Sequence, residues 1–245
     1  MRNYKMIIAY DGTRYKGWQR LVEDSMTIQG ILENILSKEI GYAVTIDGSG
    51  RTDSGVHARG QVANVKISRK VDPIIFRDAV NAQLPEDIRI VEMELVKNGF
   101  HSRLSATGKQ YQYRIDRREK PDVFMRRFTY HFPEKLDEIA MKKAAGLLIG
   151  THDFAAFCDK KEDKSCIRTI YNIDFSEEGS ILLITYTGNG FLNHMVRILT
   201  GTLVEVGNGQ RTVESVKQAL ESGIRGDAGY TAPARGLRLE EVYYN

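Results

Sequence analysis

The run Gly48-Ser49-Gly50-Arg51-Thr52-Asp53-Ser54-Gly55-Val56-His57-Ala58-Arg59-Gly60 sets one carboxylate among small and basic residues. Its glycines permit backbone angles that other residues avoid and let a ligand approach the main chain, so the stretch reads as a tight loop around a substrate. Arg51 and Arg59 make it positive. A nearby arginine favours the ionised form of an aspartate, and an ionised carboxylate can act as a nucleophile. Asp53 is therefore the candidate catalytic residue, suited to an electron-poor carbon in an anionic substrate.

Other chemistries fit the loop less well. An arbitrary Asp-Ser-Gly would be an Asx turn, with the aspartate only capping backbone N–H groups. A calcium loop starting at Asp47 fails at its third and fifth positions, held by Ser49 and Arg51. A phosphate cradle could begin with Gly48 and Gly50, but Asp53 replaces the third glycine and no Gly-Lys-Ser/Thr follows. The two cysteines, Cys158 and Cys166, lack the close spacing of a redox or zinc motif and are expected as reduced thiols.

Residues 50–58 resemble, without a gap, the active-site loop G-R-T-D-x-G-V-H-A of the tRNA pseudouridine synthase A (TruA) family. Further family-like segments span almost the whole length: Tyr10-Asp11-Gly12-Thr13 with Gly17-Trp18-Gln19, Phe100-His101-Ser102-Arg103, Lys109-Gln110-Tyr111-Gln112-Tyr113-Arg114, Asp153-Phe154, His194-Met195-Val196-Arg197 and Ala232-Pro233-Ala234-Arg235-Gly236-Leu237. The resemblance implies an isomerase that converts uridine to pseudouridine at positions 38, 39 and 40 of the tRNA anticodon stem-loop, acting as a homodimer. It assigns Asp53 as nucleophile, Arg197 as its partner, Tyr111 as the ring that stacks on the target base, and Arg51 as a wedge or phosphate clamp. His57 is expected to steady the loop. Gly190 and Asn193 depart from the family pattern, where alanine and histidine are also familiar.

Taken alone, some of these residues read differently. A tyrosine on an alternating strand is usually packing, and a helix arginine is usually on the surface; only motif position raises Tyr111 and Arg197 above that, while Tyr113 reads as packing. The reaction breaks one bond to ribose and makes another without redox change, so no cofactor and no metal are expected. A stacked uridine must first be extruded, at about a few kcal/mol.

The elements that must position these groups follow from periodicity. Residues 4–10 read as a strand, and Ile28, Ile31, Leu32, Ile35, Leu36 and Ile40 mark one helix face behind a Thr27 cap. Residues 42–46 read as a strand entering the loop and 61–67 as one leaving it. Asp72-Pro73 opens a second helix that Leu84-Pro85 closes, and 88–96 form another strand. The second half repeats the order with strand 110–117, helix 136–149, strands 169–175 and 181–187, helix 191–206 and final strand 237–244, interrupted by an extra helix at 213–220. The expected fold is α+β, two ferredoxin-like βαββαβ halves with largely antiparallel sheets, divided into an N-terminal domain 1–105 and a C-terminal domain 106–245. Such halves, and the resemblance, imply a central basic cleft between them.

At 245 residues, 42% hydrophobic, with a net charge of +3, the chain reads as an ordinary globular protein whose global charge does not identify a nucleic-acid binder. No apolar run reaches roughly 18 residues and no signal-peptide pattern opens the chain, so no membrane association and a cytoplasmic location are expected. Local charge says more. Between positions 109 and 127 seven basic residues (Lys109, Arg114, Arg117, Arg118, Lys120, Arg126, Arg127) face three acids (Asp116, Glu119, Asp122), interleaved with Tyr111, Tyr113 and Phe124. Lys109 and Arg114 here, and Arg14, Lys16 and Arg20 around Trp18, are candidate contacts to an RNA backbone. A non-catalytic RNA-binding module of ferredoxin-like topology is the alternative, but no Lys/Arg-Gly-Phe/Tyr-Gly/Ala-Phe-Val-x-Phe/Tyr segment occurs. Metal-dependent phosphoryl transfer lacks a cluster of acids near Asp53.

Overall fold

In the first unit, a strand that alternates inward and outward residues supplies the core. The computed structural model describes residues 1–21, 26–159 and 165–245. It divides into Met1–Thr107 with Arg238–Asn245, and Gly108–Leu237. In the first unit β1 (Arg2–Tyr10) buries Tyr4, Met6 and Ile8 completely. The helix α1 (Ile28–Ile40), which contacts the strand Ile46–Gly48 and the helix Pro73–Asn81, buries the stripe Ile28, Leu32, Leu36 and Ile40. Thr27 caps α1 by accepting from Gly30 N at 3.3 Å, and Gly41 ends it at φ +88°. The remaining elements are β2 (Ile46–Gly48), β3 (His57–Ile67), α2 (Pro73–Asn81) and β4 (Ile88–Val96). Asp72 caps α2 by accepting from Ile74 N and Ile75 N at 2.9 and 3.1 Å.

The sheet order β4-β1-β3, antiparallel throughout, with β2 antiparallel on the far edge of β3, is the ferredoxin-like arrangement. That edge of β3 is shared. Its C-terminal part takes β2 at Ala63, Asn64 and Val65; its start takes the last strand of the chain in parallel, Arg238 opposite His57 and Leu239 opposite Ala58. This explains two departures from expectation. β3 begins at His57, four positions earlier than the expected 61, because a distant strand supplies its partner there. The expected strand over 42–46 shrinks to an entry at Ile46: Tyr42 instead accepts from Ser68 N and contacts Ser68 Oγ, both at 2.7 Å.

The second unit holds β5 (Ala106–Asp116), β6 (Tyr130–His131), α3 (Glu138–Leu148), β7 (Gly150–Asp153), β8 (Ile167–Glu178), β9 (Ile181–Gly188), α4 (Met195–Gly207) and α5 (Val213–Ser222). Its order β5-β9-β8-β7 is antiparallel, so β5, β9 and β8 repeat the β1-β3-β2 sequence of the first unit. β6 and β7 were not expected; two and four residues are too short to show a period. The final strand, β10 (Leu237–Tyr244), has its expected bounds but belongs, from Arg238 onward, to the first unit.

α4 starts at Met195 rather than 191, because His194 takes a left-handed conformation, φ 59°, that no helix interior tolerates. Once begun it is buried nearly all round, including Met195, Ile198, Leu199, Leu203 and Val204. Cys158 and Cys166 are free buried thiols, brought to 3.8 Å between sulfurs although eight positions apart. Burial, first, and the neighbouring Cys166 push the Cys158 thiol up to about 12. Among the described residues no helix is long and apolar enough to cross a membrane.

Candidate active site

The candidate loop runs from the end of β2 to the start of β3, and buried polar side chains fasten it at intervals. Ser49 N donates to Val62 O and Ser49 Oγ to Gln61 Oε1, both at 2.7 Å. Gln61 Nε2 donates to Gly50 O at 3.0 Å. Thr52 O accepts from Trp18 N at 3.1 Å, while its hydroxyl meets Tyr10 OH at 2.8 Å. Ser54 Oγ and Gly55 N both donate to Tyr15 O, at 3.1 and 3.4 Å. Gln61 is fully buried, and Ser49 and Thr52 nearly so. A buried polar group left unpaired is costly, so these bonds hold the loop in one conformation.

Asp53 opens a turn closed by Val56 N donating to Asp53 O at 3.1 Å. Gly55 sits at its third position with φ +79°, the left-handed region such a turn demands and a Cβ would strain. Thr52 before the turn is buried, Ser54 within it is exposed, and Asp53 between them is half-buried. Trp18, 2% exposed, forms the floor: a Cβ on Gly48 would lie 2.5 Å from its indole nitrogen. Asp53 thus sits half-buried on an anchored backbone.

His57 is 3% exposed, and its Nδ1 lies 3.1 Å from both Gly12 N and Asp11 Oδ1. A neutral ring protonated on Nε2 accepts from Gly12 N; a proton on Nδ1 donates to Asp11 instead. Either way the ring ties the segment after β1 to the first residue of β3. Ser102 does the same from below. It is fully buried, its N donates to Asn64 Oδ1 at 2.8 Å, its Oγ donates to Asp47 O, and its carbonyl accepts from Tyr244 OH at 2.7 Å.

In the second unit Tyr111 is 7% exposed on β5, its ring edge-on to Phe191 at 5.3 Å. Tyr113, two positions on, is fully buried and donates to Pro233 O at 2.7 Å. Burial drives its phenol well above the ordinary tyrosine range, aided by Tyr230 and Tyr130 and opposed by Arg197 and Arg235. Arg197, on the first turn of α4, donates through Nε to Ala232 O at 2.8 Å, and its own carbonyl accepts from Ala232 N at 3.1 Å. This pair joins two of the sequence segments, His194-Met195-Val196-Arg197 and the one beginning at Ala232, and fixes the orientation of the guanidinium.

The outlying cations divide by their partners. Arg51 is exposed with no hydrogen bond or ion pair at its guanidinium among the described residues. Arg14 Nε is 2.6 Å from Asp87 Oδ2 and its guanidinium lies over the Tyr15 ring at 5.6 Å. Arg20 is 2.9 Å from the nearly buried Glu33 Oε2. Arg114 is buried in β5, 2.8 Å from Glu178. Lys16 is exposed and Lys109 half-buried. Arg59 lines a surface cavity of about 450 Å³ with Lys5, Glu240 and Tyr244. Among the described residues no group of three or more His, Cys, Asp or Glu side chains is placed to hold a metal ion.

The sequence reading did not single out Ser49, Gln61, Tyr10 or Ser102. Gln61 stands between Gly60 and Val62 in β3 with no periodic signal of its own, while Tyr10 and Ser102 were marked only as members of the quoted family-like segments.

The site so built is an aspartate presented from a fastened loop between β2 and β3, within the motif at residues 50–58. A family model described as tRNA pseudouridine synthase matches residues 6–103 and 144–245. The chain is 45% identical to the tRNA pseudouridine synthase A of Bacillus sp. (strain KSM-64) and 44% identical to that of Clostridium kluyveri, covering 100% of each chain in both cases. It is 42% identical to the tRNA pseudouridine synthase A of Geobacillus sp. (strain WCH70), covering 100% of this chain and 99% of that one. A chain of a Cbf5-Nop10-Gar1 crystal structure overlays 97% of this one at 13% identity and TM-score 0.40; this chain spans 48% of its length, and so distant a likeness carries no argument. The chain belongs to the tRNA pseudouridine synthase family, whose members are isomerases.

Proposed function

We propose that the protein isomerises uridine to pseudouridine at positions 38, 39 and 40 in the anticodon stem-loop of tRNA, with Asp53 as nucleophile. What carries the reading is Asp53 itself: it stands at the family's aspartate position, on a turn whose neighbours are locked by Tyr10, Tyr15, Trp18 and Gln61, and it remains half-accessible. In the reaction the bond from ribose C1′ to N1 of the base breaks, the detached base turns, C1′ joins C5, and the proton on C5 leaves. Asp53 supplies the negative oxygen that assists bond cleavage. Tyr111 stacks on the base, and its hydroxyl is within the chemical repertoire of a proton carrier for C5. By the same resemblance Arg197 is the partner assigned to Asp53, and Arg51 contacts the phosphate or the gap left by the extruded nucleotide. The same resemblance supports a homodimer working in the cytoplasm.

Unmodified tRNA transcripts, incubated with the chain and probed by carbodiimide modification and primer extension, test this. Stops one nucleotide 3′ of positions 38, 39 and 40 are expected wherever uridine stands there, and are expected to vanish with Asp53→Ala. Stops confined to other tRNA positions, or unchanged in Asp53→Ala, contradict it.

A further inference from the structure

The basic, aromatic stretch between positions 109 and 127 is sorted by the fold into two parts. Arg114 meets Glu178 at 2.8 Å, Arg117 meets Glu138 and Glu177 at 2.7 and 2.6 Å, and Arg118 meets Asp116 and Asp122 at 2.8 and 2.9 Å. These cations are spent on the fold. The acids Asp116 and Asp122 are used in the same pairs, which leaves Lys120 and Arg126 without a carboxylate partner among the described residues. Both are exposed, on the loop between β5 and β6. Between them the loop carries Phe124, 84% exposed, and Val123, 60% exposed.

The loop is not slack. Asp116 O accepts from Phe132 N at 2.8 Å, closing its base, and the His131 ring meets Arg118 O at 2.8 Å. Asp122 Oδ1 accepts from Phe124 N at 2.8 Å, Asp122 O from Met125 N at 3.2 Å, and Met125 O from both Phe128 N and Thr129 Oγ1, at 2.8 and 3.0 Å. The Phe124 backbone is therefore fixed while its ring stands in water. An aromatic ring held outward on an ordered support, beside cations without counter-charges, matches the two features of a single-stranded nucleic acid: a stackable base face and a phosphate chain.

We propose that residues 119–127 form an RNA-contact surface in which Phe124 stacks on an unpaired base of the substrate RNA while Lys120 and Arg126 engage its phosphates. This rests on the tRNA reading above but concerns binding alone. Fluorescence anisotropy with a labelled, unmodified tRNA transcript over a series of salt concentrations tests it. Phe124→Ser is expected to weaken binding about tenfold and Phe124→Trp to restore it, as stacking on a side chain does. Arg126→Gln is expected to weaken binding and reduce the slope of log affinity against log salt by about 1. Phe124 lies on the surface, so Phe124→Ser should melt at the wild-type temperature. Wild-type affinity and slope in both Phe124→Ser and Arg126→Gln overturn the proposal, as does a change in sedimentation by Phe124→Ser without loss of RNA affinity, which marks a protein contact instead. If the wild-type chain binds the tRNA without making pseudouridine, the functional reading fails and the loop assignment is judged on its own affinities.

Discussion

Gln61, on the strand that leaves the candidate loop, holds the limb that enters it, accepting from Ser49 Oγ and donating to Gly50 O. Replacing it by leucine keeps the volume and removes both bonds inside a fully buried site. Gln61→Leu should lower stability by about 1–3 kcal/mol, the cost of leaving buried polar groups unpaired, as read by urea unfolding. Its activity should fall further than its RNA affinity, because the loop that presents Asp53 loses its fixed shape. Legibility at this scale depended on chemistry and not on burial. Asp53 stood out as a carboxylate among cations and glycines. Tyr111 and Tyr113 share one face of β5, so alternation alone could not separate them; the difference lies in partners from remote segments, Phe191 for one and Pro233 for the other. The supporting role of Ser102 could not be read from its segment for the same reason, since it meets Asp47, Asn64 and Tyr244 only after folding.

At the scale of elements, the N-caps and long periodic helices could be read directly: Thr27 and Asp72 act where their chemistry says they should. Boundaries failed where long-range pairing decides them, at the start of β3, or where one residue departs from helical angles, at His194. The start of the β5–β6 loop carries a pH signature. Burial raises the Asp116 carboxyl, but hydrogen bonds from the Arg118 side chain and backbone, with the backbone of Asp122, outweigh it and bring it below the ordinary aspartate range. A carboxyl lowered in the folded state adds stability above its unfolded value, and that contribution is lost as pH falls through the folded one. Melting temperature should therefore fall as pH drops below about 4. Asp116→Asn should be less stable at pH 7 by about 1–2 kcal/mol, discounted because Arg118 is partly exposed, and should show a flatter acid limb.

Over the whole chain, the β-α-β-β-α-β order was legible in both halves because the longer strands and the helices show their period, which β2, β6 and β7 are too short to do. The destination of the last strand was not. Nothing in the local sequence of β10 says that it lies in parallel beside His57 and Ala58. Its Tyr244 contacts Phe100 at 5.1 Å between ring centroids and bonds Ser102, so β10 closes the first unit around the segment that supports the loop. Deleting residues 238–245 should expose one edge of β3, remove this clasp and lower the melting temperature by well over 5 °C, on the scale of roughly 4–8 °C per kcal/mol for a unit of this size. The truncated chain should also lose activity while every residue of the 50–58 motif is still present.

The most direct measurement follows the hydrogen on C5 of the target uracil. Pseudouridine formation must release it, so tRNA labelled with tritium at C5 reports turnover as tritium in solvent. The wild-type chain should release label from uridines of the anticodon arm, and Asp53→Asn should release none while binding the same tRNA with wild-type affinity. Release by Asp53→Asn at the wild-type rate would contradict the assignment of the reaction to that carboxylate.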